Sequence, residues 1–271
     1  NTAKITKAMS MIAASKMRRA QEMALRSRPY AERMRDILAD LAAQPHDEES
    51  LHPLLVTRPV ANLSVVLITP DRGLTGGLHS KINRKAAQFI LDQSRDTSVI
   101  AVGRKGRDFM VRTGQDVKAV FSEIGDTPTL YDTTAISRIV VDDYTNGRVD
   151  AVYIVYAGFV STTVQNPIVQ TLLPVKPSVL LPEHAVGYIY EPDSREVLSE
   201  LLPRFVQLQV YHAILESIAS EQSGRMVAMR NATDNADEMT VDLTLEMNKA
   251  RQESITTELL DIVAGASAVS G

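Results

Sequence analysis

From Pro203 to Ala264 the chain reads PRFVQLQVYHAILESIASEQSGRMVAMRNATDNADEMTVDLTLEMNKARQESITTELLDIVA, with one glycine, Gly224, and no proline after the first residue. Such a run predicts one helix of roughly 90 Å at 1.5 Å per residue, far beyond the usual three turns. A chain of 271 residues cannot cover such a rod with its own globular part. Part of it must pair with another helix, and the rest must be held by other chains. Asp193, with Glu196 three residues on, has the spacing of a capping box and marks the start. Pro203 predicts a kink or break near Leu202. The apolar marks Val206, Val210, Ile214, Ile218, Met226, Met229, Met239, Leu243, Met247 and Leu260 drift around the helix, as they do unless it supercoils.

A partner helix lies at the other end of the chain. The first 43 residues contain no glycine and a single proline, Pro29. Ile5, Met9, Ile12, Ala13, Met17, Ala20 and Ala24 recur at steps that place them on one helical face. The stripe resumes after Pro29 at Met34, Ile37, Leu38 and Leu41. Pro29 predicts a bend and one lost backbone hydrogen bond. The polar stretch Gln44–Ser50 ends the helix.

The middle of the chain alternates. Leu63–Thr69, Ser98–Val102, Asp116–Phe121 and Asp150–Ala157 read as strands; Ser80–Gln93, Arg104–Arg112 and Thr129–Tyr144 read as helices, with Gly114 and Gly147 as stops. This alternation implies a parallel sheet with covered faces. Thr162–Leu173 is extended, but Pro167 confines it to an edge or a bulge. Val186–Tyr190 reads as a further short strand. The expected architecture is an α/β domain inserted into an antiparallel coiled coil of the chain ends. Residues 1–57 and 193–271 supply the coil, and residues 58–192 the domain.

Composition narrows the chemistry. No cysteine is present, which excludes disulfides, a thiol nucleophile and a thiolate metal site, and fits an intracellular protein. Eighteen consecutive apolar residues occur nowhere, so no membrane span is expected. The sequence begins Asn1-Thr2, so an incomplete N-terminus is expected. Five Phe, eight Tyr and no Trp beside ten Met suit long helical contacts better than a large round core. The net charge of −4 is segregated. Asn1–Arg35 carries nine basic and two acidic residues, whereas Asp193–Asp261 carries six basic and thirteen acidic ones, so the two helices could attract each other. A basic helix alone would suit nucleic acid or an anionic membrane surface, but no aromatics interleave it for base stacking.

One loop resembles a motif: Asp71-Arg72-Gly73-Leu74-Thr75-Gly76-Gly77-Leu78, between a strand and a helix. In a doubly wound sheet phosphate often binds there. Its spacing matches neither phosphate-loop pattern, and Lys81 stands four residues past Gly77. The plainer expectation is a tight turn whose three glycines serve backbone conformation. His46, His52, His79, His184 and His212 show no metal spacing, and no nucleophile elbow occurs. No catalytic, cofactor or metal residue is therefore assigned.

Four segments resemble a known family. Thr6–Arg19 (TKAMSMIAASKMRR), the DRGLTGGL loop, Ser223–Ala236 (SGRMVAMRNATDNA) and Asn248–Ala266 (NKARQESITTELLDIVAGA) resemble signatures of the gamma subunits of F-type ATP synthases. With the order of elements between them, the resemblance spans the chain. Three positions depart from the family pattern: Pro70 replaces Ser or Thr, His79 replaces Asn, and Gly224 replaces Ala. Gly224 should cost the rod about 1 kcal/mol against Ala and permit local bending. The cysteine pair of the plastid form is absent, which implies a bacterial type.

What the resemblance implies is a non-catalytic rotor shaft inside a ring of alpha and beta subunits, with the α/β domain against the epsilon subunit and the membrane c-ring. Rotation would then carry each beta site through its states. The chain would meet the membrane only through the complex, at the cytoplasmic face of the bacterial plasma membrane. Met9, Lys16, Arg18, Arg225, Gln252, Thr256 and Glu258 are implied contacts with the ring, and Lys4, Lys7 and Arg19 further partners for acidic beta loops. Gln252 and Thr256 share a helical face, Glu258 lies roughly 200° around from Thr256, and Arg225 lies roughly 40 Å below Gln252 on the opposite face. Asp71, Arg72, Gly73, Gly76 and Gly77 are expected to form a structural turn. The alternative is a nucleotide-binding regulatory domain bearing a basic coiled-coil arm.

Overall fold

A computed structural model describes residues 1–43, 52–176, 191 and 193–270. The expected strand at Val186–Tyr190 and the helix-ending stretch Gln44–Ser50 lie outside the described residues.

Two helices dominate: α1 (Thr2–Ala43) and α5 (Ser194–Ser270). At 77 residues α5 is roughly 115 Å long. Their polar contacts pair Thr6 with Thr233, Ser10 with Met226 and Ser27 with His212, so the helices run antiparallel. The face that α1 turns inward is Thr6, Ser10, Ala13, Met17, Ala20, Ala24, Ser27, Ala31, Met34, Leu38 and Leu41, all buried or half-buried. These residues alternate in steps of four and three, an unbroken heptad seam. Most of the seam is Ala, Ser or Thr, which lets the two backbones approach closely.

This seam corrects the sequence reading. Ile5 and Ile12 belong to the expected stripe, yet both are more than half exposed. Hydrophobicity alone selects them, while the seam takes Thr6, which the stripe passes over, and Ala13, which it includes. Neither proline ends its helix: α1 runs through Pro29 and α5 through Pro203. Leu202, Phe205 and Val206 are all buried around Pro203. Their packing outweighs a proline cost of about 3 kcal/mol. The segregated charges also pair differently from expectation. Arg28 meets Glu32 and Arg33 meets Asp36 within α1, while Arg204 meets Glu200 and Arg225 meets Glu221 within α5. Lys16 reaches Asp126 of the inserted domain.

That domain is a five-stranded sheet. Strand β1 (Asn62–Ile68), helix α2 (Leu78–Gln93), β2 (Asp96–Val102), α3 (Arg104–Arg112), β3 (Asp116–Phe121), α4 (Thr134–Thr145), β4 (Ala151–Phe159) and β5 (Gln165–Leu173) follow in order. The strands lie β3-β2-β1-β4-β5, parallel except for antiparallel β5 at the edge. Alternation along β1 and β4 separates two cores. Val65, Leu67, Val155 and Ala157 face Leu78, Ile82, Ala86 and Met110 of α2 and α3. Val66, Ile68, Ile154 and Tyr156 face a core shared with α4, α1 and α5. The coiled coil thus serves as one covering layer of the sheet, and the sheet in turn seals the base of the rod.

Pro167 sits on β5 opposite Ala157. Ala157 N–H donates to Ser217 Oγ (3.2 Å), and its carbonyl accepts from Ser220 Oγ (3.0 Å), both on α5. Because antiparallel pairs alternate between bonded and non-bonded, the missing proline N–H costs this ladder nothing.

Candidate functional site

In an open doubly wound sheet, ligands bind beyond the carboxyl ends of the strands where the strand order reverses. Here that point lies between β1 and β4. Beyond the end of β1 the exposed edge of β4 would offer Ala157 to a ligand, but Ser217 and Ser220 of α5 take both of its backbone groups. One turn on, Ser223 Oγ donates to Thr162 O at 2.6 Å. Residues 217, 220 and 223 are buried and form one hydroxyl face of the helix. The rod thus takes the backbone groups of β4 at the switch point, and the space left is an open cavity of about 700 Å³ beside the Asp71 loop, lined by Lys16, Arg72, Arg104 and Arg225 among others.

The Asp71–Leu78 loop docks on the same stretch of α5. Arg225 Nη2 approaches Gly73 O at 3.4 Å. A Cβ at Gly224 would meet Thr75 O at 3.0 Å, so the missing side chain gives the loop its seat. An alanine at 224 would require the loop to give by a few tenths of an ångström, a close approach that the sequence, which presents Gly224 only as a weak helix residue, does not show. Of the three glycines expected to serve the turn's conformation, only Gly76 has positive φ (60°), and Leu74 shares that region (φ 65°). A Cβ at Gly73 or Gly77 would meet nothing within 4 Å. Asp71 is the turn's organiser: one carboxylate oxygen accepts from Arg104 N–H (2.9 Å), the other from Glu123 N–H (2.8 Å). Arg72 is exposed.

The residues expected to meet surrounding subunits fall into two groups. Lys16 and Arg225 belong to a polar cluster where α1, α5 and the loops meet, with half-buried Met9 beside them. Lys16 Nζ lies 2.6 Å from Asp126, and Gln222 donates to the other oxygen of that carboxylate at 2.9 Å. Arg225 donates to Gln222 (2.9 Å) and to Glu221 (2.7 Å). Its side chain is only 14% exposed, so its guanidinium is engaged inside the chain. Burial pushes the Glu221 carboxyl up, and Arg225 partly offsets this. Asp126 carries no sequence signal, since its partners Lys16 and Gln222 lie 110 and 96 residues away, whereas Glu221 and Arg225 have the i, i+4 spacing of a helical ion pair.

Gln252, Thr256 and Glu258 form the second group, with Arg18 exposed lower down on α1. All three lie on the part of α5 beyond the end of α1. From residue 237 to residue 266 nearly every residue is exposed. Met239, Val241, Leu243, Leu245 and Met247 are each more than half exposed, and successive ones lie roughly 200° apart. Further up, Leu259, Leu260, Ile262 and Val263 are equally bare. A helix that exposes apolar side chains on opposite sides cannot cover both against one neighbour, and so suits an enclosure. Among the described residues no group of His, Asp and Glu could hold a metal ion, and no helix is long and apolar enough to cross a membrane.

The model of the ATP synthase family matches residues 1–269. The ATP synthase gamma chain of Dehalococcoides mccartyi strain CBDB1 is 57% identical over 270 residues, covering 100% of this chain and 95% of the relative. That of Roseiflexus sp. strain RS-1 is 49% identical over 274 residues, covering 100% and 94%. Among solved structures, a central-stalk chain of the Tetrahymena thermophila mitochondrial ATP synthase aligns with TM-score 0.65 and 28% identity, over 84% of this chain and 99% of that one. A rotor chain from Euglena gracilis shares the fold at TM-score 0.61 and 21% identity, over 93% of each.

Proposed function

The chain belongs to the ATP synthase gamma-chain family, and from that membership we propose how it works as the central shaft of an F-type enzyme. It is a stalk subunit of a membrane-associated complex and not the catalytic site. Its partners are the alpha/beta hexamer, the epsilon subunit and the c-ring. Turning inside the hexamer, it couples ion translocation to ATP synthesis or hydrolysis at the beta sites. An asymmetric rod biases equivalent sites differently according to the face each one meets.

Residues 1–57 and 193–271 act as the shaft and residues 58–192 as the body below it, at the cytoplasmic face of the bacterial membrane. Gln252, Thr256 and Glu258 touch the ring near the top of the rod, and Met9 and Arg18 touch it lower down. Lys16 and Arg225 stand at the base, where each also holds the chain's own loops. The observation that carries this reading is the bare upper end of α5. Some 30 exposed residues with apolar side chains on opposite sides require a sleeve.

To test the contacts, Gln252→Ala and Thr256→Ala are combined in the complete complex. Assembly should survive, because the contacts are spread over many turns, and ATP turnover should fall. Wild-type turnover in the intact double variant would remove these residues from the coupling set. The alternative, a nucleotide-binding domain with a coiled-coil arm, requires the isolated chain to bind ATP. The α5 hydroxyl face takes the β4 backbone groups at the switch point and the loop lacks a phosphate-loop spacing, so calorimetry should show no micromolar uptake; such uptake would favour the alternative.

A further inference from the structure

Force applied at the α/β domain must reach the coiled coil, and apolar packing alone resists sliding poorly, because it is non-directional. One carboxylate is placed to resist it. Asp126 accepts from Lys16 on α1 at 2.6 Å and from Gln222 on α5 at 2.9 Å, and so holds both helices from a single loop of the domain. That loop is itself held open. Glu123 has φ 63° and Gly125 φ 84°, and a non-glycine residue in that region is kept there only by its surroundings. The constraint is Asp71, which accepts from Glu123 N–H while its other oxygen accepts from Arg104 N–H at the start of α3. A salt bridge between Arg104 and Glu123 (3.2 Å) braces the same turn. On the far side, Gln222 passes the contact to Arg225, which reaches Glu221 and the carbonyl of Gly73, two residues from Asp71. The polar path runs from the carboxyl end of β1 through α5 and back to its origin, with Lys16 of α1 joined to it at Asp126.

We propose that this Asp71–Glu123–Asp126 loop is a torsional clamp, with Asp126 a positioning residue that fixes the azimuth of the α/β domain on the shaft. The proposal rests on the rotor reading. A half-exposed ion pair such as Lys16–Asp126 contributes little to stability, so its value here is directional. Asp126→Ala removes both helix contacts. Asp126→Asn keeps an acceptor for Gln222 but loses the charge that draws Lys16.

The experiment uses the complete complex in membrane vesicles and on a surface. The subunits are first counted to confirm assembly. Two quantities are then read: ions pumped per ATP hydrolysed, and the angular spread of a bead on the α/β domain when the ring is held without nucleotide. Asp126→Ala should broaden the angular distribution and lower the pumping ratio, while hydrolysis by the detached ring and shaft stays at the wild-type rate. Asp126→Asn should fall between wild type and Asp126→Ala. Wild-type angular spread and pumping ratio in an assembled Asp126→Ala complex would overturn the clamp, and so would a fall in hydrolysis that explains the whole pumping loss. Failure of the wild-type chain to rotate at all would instead overturn the rotor reading beneath it.

Discussion

Several single residues decide whether the pieces fit. Gly103 follows β2 with φ 101°, and a Cβ there would lie 1.9 Å from Thr69 O. Gly103→Ala should cost about 2–4 kcal/mol, from the strained backbone and the displaced carbonyl together. A thermal melt of the chain checks this, and an unchanged midpoint would contradict it. Asp143 is buried on α4 between Lys118 of β3 (2.5 Å) and Arg148 (2.7 Å). Asp143→Ala should destabilise the domain by about 1–3 kcal/mol, because it removes two charge-assisted hydrogen bonds, while both half-exposed cations can return to water. Urea unfolding would show this as a lower midpoint at the same slope. Glu216 faces α1 from α5. Burial raises its carboxyl above the ordinary Glu value, with partial relief from the Phe159 N–H and Arg28. The folded protein therefore holds that proton at a pH where the unfolded chain has released it. Stability contributed in this way is present in acid and lost as pH rises from the ordinary value through the raised one. Glu216→Gln, which can still accept from Phe159, should melt higher than wild type at pH 7. The gain should vanish in acid below the ordinary range; a gain independent of pH would contradict the assignment.

Elements were legible in proportion to how local their causes are. Strands β1 to β4 and the helices between them follow from apolar runs and from stops at Gly114 and Gly147, whose φ values of 73° and 68° explain the punctuation. The face of α1 is legible in part: the apolar stripe holds Ala13, Met17, Ala20, Ala24, Met34, Leu38 and Leu41 of the seam, but passes over Thr6, Ser10, Ser27 and Ala31 and adds the exposed Ile5 and Ile12. At Pro203 a break is one expectation, and the helix runs on because tertiary packing carries it past a local breaker; Pro29 also lies inside a continuous helix, as its reading allows. The serine face of α5 has a spacing of three that the apolar pattern does not single out, and nothing local points to its partner, the backbone of β4. The same helix should therefore behave as two elements in the isolated chain. Around residues 206–223 it is sandwiched between sheet and α1; beyond residue 237 it has neither. Hydrogen exchange on the isolated chain should show slow amides in the first stretch and fast ones in the second. Assembly with the ring should slow the second stretch selectively. Equal protection along all of α5 in the free chain would contradict this division.

For the whole molecule, one rod joins two environments. Its base is locked onto the sheet at the switch point, and its upper end is exposed and made for enclosure. The resemblance in Thr6–Arg19 and Asn248–Ala266 indicated the machine; the way the domain grips the rod required the folded chain, since Asp126, Lys16 and Gln222 meet only there. The central claim is that the α/β domain and the rod turn as one body inside the ring. The chain has no cysteine, so Val111→Cys, on the exposed outer side of α3, gives a single attachment point. With the complete complex fixed through its ring and a bead on residue 111, ATP should drive continuous one-way rotation of the bead at a rate proportional to hydrolysis. Steady hydrolysis with a bead that only fluctuates about one angle would contradict the account.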